Sequence, residues 1–500
     1  MENNVLYWLE KQANENPSKI AFKDINGEIN FKKLLMLSQQ AGSYFNTDQP
    51  IVIYMEKSIK CLAIMFGSVY AGGFYSIIDT SLPKQRALKI ANALNASIVV
   101  CDNDNYEKAI EIFGNNMVVK ADIILNTNIN NKKLKATRES HTDLKPLYCN
   151  FTSGSTGEPK GVLTNHSNVL DFIPIFTKTL KISSEDILAN QAPFDFDLSV
   201  KDIYSGLYLG ATVVLIPKKY FTNPISLMDY LHNSKANTLI WAVSALVFLS
   251  TMRALSYKKL DIKKIIYSGE IMPKMHLNRI KDYLPDCTFI NAYGPTEITC
   301  NCTYHILKDE DFDKDSVPIG KAFENRKVFL MQDEKIINEP NKIGEICVSG
   351  RCLAIGYLNF IKEDAFIQNP MNLSYNERVY KTGDLGFLDE QGDLHYKGRA
   401  DFQIKRLGHR IELIEIETEV LNLGLDIERA CAVWEKEKLA LFFEGNADKN
   451  EILNTLKQRL PMFMLPNIIY KEDKLPINKN GKIDRVKLNK KICDGNKGKI

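Results

Sequence analysis

The sequence lacks every segment that would place it in or across a membrane. No stretch reaches the roughly 18 uncharged apolar residues of a spanning helix, and the N-terminus, MENNVLYWLEKQANENPSKIAF, has no apolar core or small-residue cleavage site of a signal peptide. The 10 cysteines contain no CxxC pair and no Cys/His cluster, and only Cys300 and Cys302 lie near each other. This pattern indicates neither a zinc site nor a disulfide framework, so we expect a cytoplasmic protein with reduced thiols.

An excess of charge of one sign is also missing. The chain has 64 Lys+Arg against 61 Asp+Glu, a net charge of +3, and no basic block with interleaved aromatic residues. Nucleic acid is therefore not an expected partner. With 500 residues, 45% hydrophobic and 25% charged, the chain is too long for one ordinary domain, and we expect two or more.

Strand-like and helical patterns alternate along most of the chain. Residues 51–55 (IVIYM) read as a strand, residues 59–73 have helical spacing that ends in a Gly pair, and residues 86–102 read as a helix followed by a strand. This rhythm predicts an α/β fold around largely parallel sheets. After about residue 400 the pattern changes to two helices and a hairpin, so we place a domain boundary at Asp401, with domains 1–400 and 401–500.

One stretch, FTSGSTGEPKG (151–161), interrupts an apolar run with hydroxyls, glycines and a lysine. Hydroxyls, unshielded backbone N–H groups and a point charge suit phosphate oxygens. The stretch is not a Walker A loop, because only two residues separate Gly154 from Gly157. Taken alone, such a segment is also typical of a flexible surface loop.

Four further motifs come after it in order: NAYGPTE (291–297), YKTGD (380–384), YKGRADFQIKRLGHRIELIEIE (396–417) and NKNGKIDR (478–485). Together with the loop at 151–161 they resemble the core motifs of the adenylate-forming superfamily. The resemblance runs from about residue 5 to residue 488. It implies a large N-terminal domain of layered αβ sheets, a small mobile α+β C-terminal domain, and the use of ATP and Mg²⁺.

The resemblance implies two half-reactions. A substrate carboxylate attacks the α-phosphate of ATP and releases pyrophosphate, and a thiol then attacks the resulting adenylate. By motif position, the nucleotide would be bound by Thr152, Ser153, Gly154, Ser155, Thr156, Gly157, Lys160, Asn291, Ala292, Tyr293, Gly294, Pro295, Thr296, Asp384, Tyr396, Arg399 and Lys482.

Within this set the resemblance gives individual roles. Asn291 and Tyr293 would bind adenine, and Thr296 would touch the α-phosphate. Glu297 would ligate Mg²⁺, an ion that prefers oxygen ligands.

The remaining nucleotide contacts and the C-terminal domain have their own roles. Asp384 would accept both ribose hydroxyls, since one carboxylate has two oxygens for a vicinal diol, although KTGD alone is more typical of an ordinary turn. Lys482 would stabilise the charge that develops during adenylation, although a lone lysine beside a glycine is usually only solvated. The C-terminal domain would rotate about Asp401, after which the loop around Gly408 would line the path of the thiol.

The closest resemblance is to amino-acid adenylation domains and D-alanine–carrier-protein ligases. Asp197 in FDFDLSVKDIY (194–204) falls where those enzymes place the carboxylate that pairs with a substrate α-ammonium. The alternative is that Asp197 caps the following helix. The implied substrate pocket is lined by Asp197, Leu198, Lys201, Trp241, Ile266, Ser268, Ala292, Cys300 and Asn301.

Three pocket positions bear on the substrate. Trp241 would occupy volume and favour a small amino acid. Ser268 stands where D-alanine ligases have a cysteine, which counts against D-alanine. Lys201, one helical turn after Asp197, either pairs with that carboxylate, faces solvent, or meets an acidic or polar substrate group.

The short C-terminal segment beyond the last motif narrows the identity of the acceptor. About 15 residues come after NKNGKIDR, too few for a carrier domain, so we expect a free-standing enzyme that loads a separate phosphopantetheinyl carrier protein. An acyl- or aryl-CoA ligase is the alternative, against which Asp197 counts. A catalytically silent nucleotide-binding scaffold is a second alternative, but the motif residues show no decay.

Overall fold

The computed structural model describes residues 3–46, 49–153, 158–360, 365–370, 372, 374–399, 402–477 and 483–494. The α-helices in these ranges are α1 (Leu6–Glu15), α2 (Phe31–Tyr44), α3 (Ile59–Tyr70), α4 (Lys84–Ala93), α5 (Tyr106–Phe113), α6 (Ala121–Ile124), α7 (Asn131–Glu139), α8 (His166–Thr179), α9 (Leu198–Leu209), α10 (Pro224–Asn233), α11 (Val243–Thr251), α12 (Lys274–Tyr283), α13 (Leu413–Leu421), α14 (Lys449–Leu456) and α15 (Arg485–Asp494). In these ranges no helix is both long enough and apolar enough to span a bilayer.

The strands of the first half of the chain alternate with these helices. They are β1 (Ile20–Asp24), β2 (Gly27–Asn30), β3 (Ile51–Tyr54), β4 (Tyr75–Ile77), β5 (Val99–Cys101), β6 (Val118–Lys120), β7 (Pro146–Thr152), β8 (Lys160–Asn165), β9 (Ile187–Asn190), β10 (Thr212–Leu215), β11 (Thr238–Ala242), β12 (Lys264–Ser268) and β13 (Thr288–Tyr293).

The later strands succeed one another with few helices between them. They are β14 (Thr303–Ile306), β15 (Lys321–Ala322), β16 (Arg326–Gln332), β17 (Lys335–Ile337), β18 (Gly344–Gly350), β19 (Gly356–Tyr357), β20 (Phe366–Gln368), β21 (Arg378–Leu388), β22 (Leu394–Arg399), β23 (Gln403–Arg406), β24 (His409–Glu412), β25 (Ile427–Glu435), β26 (Lys438–Gly445) and β27 (Ile468–Lys471).

The chain divides into two compact units. The first comprises Met1–Thr80, Ala93–Asn150 and Gly161–Ala400, and the second comprises Ser81–Asn92, Phe151–Lys160 and Asp401–Ile500. The predicted domains, 1–400 and 401–500, did not anticipate that two short earlier segments would group with the C-terminal residues.

Three sheets build the first unit. The largest has the order β15-β14-β13-β12-β11-β9-β10-β1-β2, a second has the order β19-β8-β7-β4-β3-β5-β6, and a third has the order β17-β16-β18-β21-β20, with β22 paired to β21. The strands from β1 through β10, β9, β11 and β12 to β13 pair in parallel. Because both faces of a parallel sheet are covered, these strands are mostly apolar, and in β11 every residue is buried. The predicted α/β fold is confirmed.

In the second unit, β23 and β24 form a tight hairpin, and β25, β26 and β27 form a three-stranded sheet. The hairpin turn uses two residues with positive φ, Leu407 (54°) and Gly408 (82°), as a two-residue turn between right-twisted strands requires. Arg406 anchors the hairpin by donating to the carbonyls of Phe463 (3.0 Å) and Leu465 (2.7 Å).

Candidate functional site

The motif NAYGPTE begins in the last three residues of β13 and continues into the loop after the strand. Asn291 is buried and its amide donates to the carbonyl of Pro318 (2.8 Å). Gly294 comes directly after the strand, where a Cβ would lie 2.6 Å from Cα of Asn301 and from the carbonyl oxygen of Cys300. Only glycine fits there, so the loop from 294 to 301 closes on itself.

Tyr293, Asp384 and Arg399 belong to three different sequence motifs, and the structure brings them together. The Tyr293 hydroxyl donates to Oδ2 of Asp384 over 2.5 Å, and Arg399 donates to Oδ1 over 2.7 Å. Asp384 is 1% exposed. Burial, with the Asp384 carboxylate beside it, raises the pKa of Tyr293 well above its ordinary range, so the hydroxyl keeps its proton and donates. The ring of Tyr396 lies 6.3 Å from that of Tyr293.

YKTGD lies within a long strand, β21, and does not form the turn that was the alternative. Gly383 has φ 72°, and the pairing of β21 with β18 shifts register across this region, between Glu345 and Cys347. Such a bulge re-aims the following side chain, and Asp384 stands directly opposite Arg399 of β22. A carboxylate offers about four lone-pair positions, so one donor on each oxygen leaves capacity for a diol.

Glu297 is fixed by a tyrosine that the sequence did not single out. It lies with Thr296 in a short 3-10 turn, Thr296–Ile298, and is 1% exposed. The Tyr357 hydroxyl donates to Oε1 of Glu297 over 2.7 Å, and the Glu297 carbonyl accepts from the Ala354 N–H. Tyr357 belongs to a two-residue strand and has no local motif that could have identified it from composition or spacing.

A hard divalent ion suits this carboxylate. Within the described part of the chain, no three His, Cys, Asp or Glu side chains form a metal-binding group. Mg²⁺ commonly takes one or two protein carboxylates and completes its shell with phosphate oxygens and water, so a single buried glutamate fits the ion that the motifs imply.

Three of the nine predicted pocket residues lie on one face of the largest sheet. Ile266, Ser268 and Ala292 share this face because strand residues alternate and Ser268 pairs with Ala292 in register. The first turn of α9 supplies Asp197, Leu198 and Lys201, all buried. Cys300 connects the two, since its thiol donates to the Asp197 carbonyl over 3.2 Å.

Trp241 is not on that face, which corrects the prediction that it limits the pocket. Ala242 is the register partner of Ser268, whereas Trp241 pairs with Tyr267 on the opposite face. The indole packs with Tyr267 in a separate core cluster, and its N–H donates to the Ala189 carbonyl over 2.8 Å. The sequence argument for a small substrate therefore loses its basis.

The structure excludes one alternative role for Asp197 and one for Lys201. Asp197 occupies the N-cap position of α9 but its side chain makes no capping hydrogen bond. Lys201 is 1% exposed, so it does not face solvent. Its ammonium donates to Oδ1 of Asn301 (2.8 Å) and Oγ of Ser268 (3.2 Å).

The phosphate-loop segment is described only in part. Thr152 ends β7 and Lys160 begins β8, with the Thr152 hydroxyl 3.5 Å from the Lys160 carbonyl. The Ser153 hydroxyl donates to the Arg410 carbonyl (2.6 Å) and accepts from the Glu412 N–H (3.1 Å), all within the second unit. Gly154, Ser155, Thr156 and Gly157, the predicted hinge Asp401 and the predicted catalytic Lys482 lie outside the described residues.

A family model for AMP-binding enzymes matches residues 9–358. The chain belongs to this family. The resemblance to the adenylate-forming superfamily is thus confirmed, and the chain is an adenylate-forming ligase.

Similar proteins cover nearly the whole chain. The D-alanine–D-alanyl carrier protein ligase of Bacillus cytotoxicus is 30% identical over 512 residues, spanning 97% of this chain and 98% of that protein. Gramicidin S synthase 1 of Brevibacillus brevis is 29% identical over 96% of this chain and 44% of its own length. The adenylation domain AlmE of Vibrio cholerae, solved with glycyl-adenosine-5'-phosphate, has the same fold, with a TM-score of 0.84 at 19% identity over 99% of this chain and 98% of AlmE.

Proposed function

We propose that the chain activates an amino acid to an aminoacyl-AMP and transfers the aminoacyl group to the phosphopantetheine thiol of a separate carrier protein. The observation that carries the amino-acid specificity is Asp197, a carboxylate that is 6% exposed and does not cap its own helix. A carboxylate at the start of this helix can bind a substrate cation through charge-assisted hydrogen bonds. A substrate α-ammonium is such a cation, and fatty or aryl acids have none.

The residues of the first unit have distinct tasks in this proposal. Asp384, held by donors from Tyr293 and Arg399, would accept the ribose hydroxyls and so position the adenosine. Glu297, oriented by Tyr357, would hold Mg²⁺, which neutralises phosphate charge when bound. Catalysis would be mostly positioning, because the transferred phosphorus needs its attacking and leaving oxygens in line.

Adenylation balances as a displacement at phosphorus. An oxygen of the substrate carboxylate forms a bond to the α-phosphorus, the bond to the bridging oxygen of the β-phosphate breaks, and pyrophosphate leaves. By motif position, Lys482 would stabilise the negative charge on both groups, while Thr152, Lys160 and the glycines of the loop would hold the outer phosphates. In the second step a thiolate attacks the adenylate carbonyl and AMP leaves.

The carrier as acceptor is supported by what the relatives are named, a D-alanine–D-alanyl carrier protein ligase among them. An acyl- or aryl-CoA ligase is the competing function, and the buried Asp197 counts against it. A catalytically silent scaffold is disfavoured by the intact set of Thr152, Glu297, Asp384 and Arg399.

ATP–pyrophosphate exchange tests the proposal. Purified protein is assayed with L- and D-amino acids and, as controls, with fatty and aryl acids. We expect exchange with an amino acid and its loss in Lys482→Ala. Exchange with fatty or aryl acids alone would contradict the proposal.

A further inference from the structure

The Lys201 ammonium is buried and donates hydrogen bonds to neutral acceptors. It lies one turn into α9, is 1% exposed, and its two hydrogen-bond acceptors are the neutral oxygens of Asn301 and Ser268. The Phe176 ring lies 6.0 Å from its nitrogen. An ammonium has three N–H donors, and these contacts use two of them.

The buried charge of Lys201 is compensated only in part. Within the part of the chain that the structure describes, no carboxylate forms an ion pair with Lys201. Burial lowers the pKa of the Lys201 ammonium. Electrostatic interactions with Cys300, Asp197 and Asp202 raise this pKa but do not cancel the effect of burial. The neighbouring Asp202 accepts a hydrogen bond from the Asn190 amide, and burial raises the pKa of Asp202 to about 7. Asp202 therefore supplies only part of a counter-charge near neutral pH.

One acceptor of Lys201, Asn301, directly follows a loop with an unusual backbone conformation. Thr299 and Cys300 both have positive φ, 56° and 71°, which is uncommon for residues with a Cβ and costs stability. The Thr299 hydroxyl donates to the Cys352 carbonyl (2.9 Å) and the Cys300 thiol donates to the Asp197 carbonyl. This loop brings the Asn301 side chain to the Lys201 ammonium. The hydrogen bond between the two groups orients the ammonium.

The sheet face beside the cation is lined by small side chains. Ser268 and Ala292 are neighbours on β12 and β13, and Ala242 continues the same row on β11. Trp241 points to the other face, so it does not restrict this side. A substrate side chain longer than a methyl group is therefore compatible with these strand positions.

We propose that Lys201 recognises a side-chain carboxylate, so that the substrate is an amino dicarboxylic acid. This inference rests on the proposed amino-acid ligase function. Asp197 and Lys201, four residues apart on one helix, present opposite charges to the two ends of such a substrate. Asp197 would bind the α-ammonium, and Lys201 would bind the side-chain carboxylate with its remaining donor.

The test is ATP–pyrophosphate exchange by the full chain with matched substrates. L- and D-forms of aspartate, glutamate and 2-aminoadipate are compared with their amides and with 2-aminobutyrate and norvaline, which have similar length and no charge. We expect kcat/KM for one dicarboxylic acid to exceed that for its amide by about tenfold or more, because the unpaired cation rejects the neutral analogue.

The variant Lys201→Met keeps much of the volume and removes the charge. We expect it to lower kcat/KM for the preferred acid by about 100-fold while leaving the uncharged isostere within about threefold. Lys135→Met, at an exposed lysine of α7, is the matched control and should leave both rates unchanged.

The outcomes separate the two proposals. Exchange with neutral amino acids only would overturn the assignment of Lys201 and leave the ligase function standing. Exchange with no amino acid would overturn both. If Lys201→Met does not fold, the comparison of substrates with the wild-type protein is a sufficient test. Equal rates with the acid and its amide would contradict the inference.

Discussion

The Tyr357 hydroxyl donates to Oε1 of Glu297 over 2.7 Å, which joins strand β19 to the turn after β13. Replacing Tyr357 with phenylalanine leaves a buried carboxylate oxygen without this donor, a loss of about 1–3 kcal/mol. We expect Tyr357→Phe to reduce the exchange rate about tenfold and to raise the Mg²⁺ concentration for half-maximal activity. A magnesium titration of exchange measures both. Tyr375→Phe, at a tyrosine that is 63% exposed, is the control, and an unchanged magnesium dependence would argue against Glu297 as the ligand.

Asp384 accepts from both Tyr293 and Arg399, so it is the fixed element of the proposed ribose site. Asp384→Asn removes the charge and places an N–H₂ group against one of these donors. We expect KM for ATP to rise about tenfold or more. The variant should also discriminate less than the wild type between ATP and 3'-deoxy-ATP, as steady-state kinetics would show. Glu390→Gln, in the exposed turn between β21 and β22, should behave as wild type, and equal discrimination by wild type and Asp384→Asn would contradict the diol assignment.

Arg485, the last residue of NKNGKIDR, connects α15 to the C-terminal core. It donates to both oxygens of Glu417 (2.6 and 3.0 Å) and to the Ala432 carbonyl (2.5 Å). Lysine cannot reproduce this planar pair of bonds. Arg485→Lys should therefore lower the free energy of unfolding by about 2 kcal/mol, measured by urea denaturation. Lys487→Met, on the same helix and exposed, should change it little. Equal stability of wild type and Arg485→Lys would show that the bidentate geometry contributes nothing.

Two buried histidines predict acid sensitivity. The rings of His141 and His166 lie edge to face, 4.6 Å apart, and burial lowers the pKa of His141 from 6.5 to about 4. The folded state thus binds the proton more weakly than the unfolded chain. Neutral His141 therefore makes its full contribution to the free energy of unfolding above pH 6.5. This contribution is lost as the pH falls towards 4. His141→Phe should reduce the drop in Tm over this interval, measured by thermal melts. His232→Gln, at an exposed histidine, should leave the drop unchanged. A pH profile of His141→Phe identical to wild type would contradict this account.

The fold could be predicted from the sequence because its signals are local. The apolar run at 51–55 became β3, and the helical spacing from 59 became α3. The order of the five motifs also identified the family. Each strand, each helix and each single motif depends on residues close together in the chain.

The parts of the site that escaped prediction depend on tertiary pairing. Trp241 was placed in the pocket by position in the sequence, but its direction is set by the register of β11 against β12. The Ser153 hydroxyl meets Arg410 and Glu412, more than 250 residues away. Asn301, one of the two neutral partners of Lys201, follows a loop whose positive φ values no local pattern indicated. Sequence spacing gives neither strand register nor such long-range contacts.

The most direct test of amino-acid activation is to identify the adenylate itself. Stoichiometric enzyme is mixed with ATP, Mg²⁺ and a pool of amino, fatty and aryl acids, quenched after one turnover and examined by mass spectrometry. The account predicts an aminoacyl-AMP, and its yield should fall about 100-fold or more in Asp197→Asn, because the substrate ammonium then loses its charged partner. An adenylate of a fatty or aryl acid, formed equally by wild type and Asp197→Asn, would contradict it.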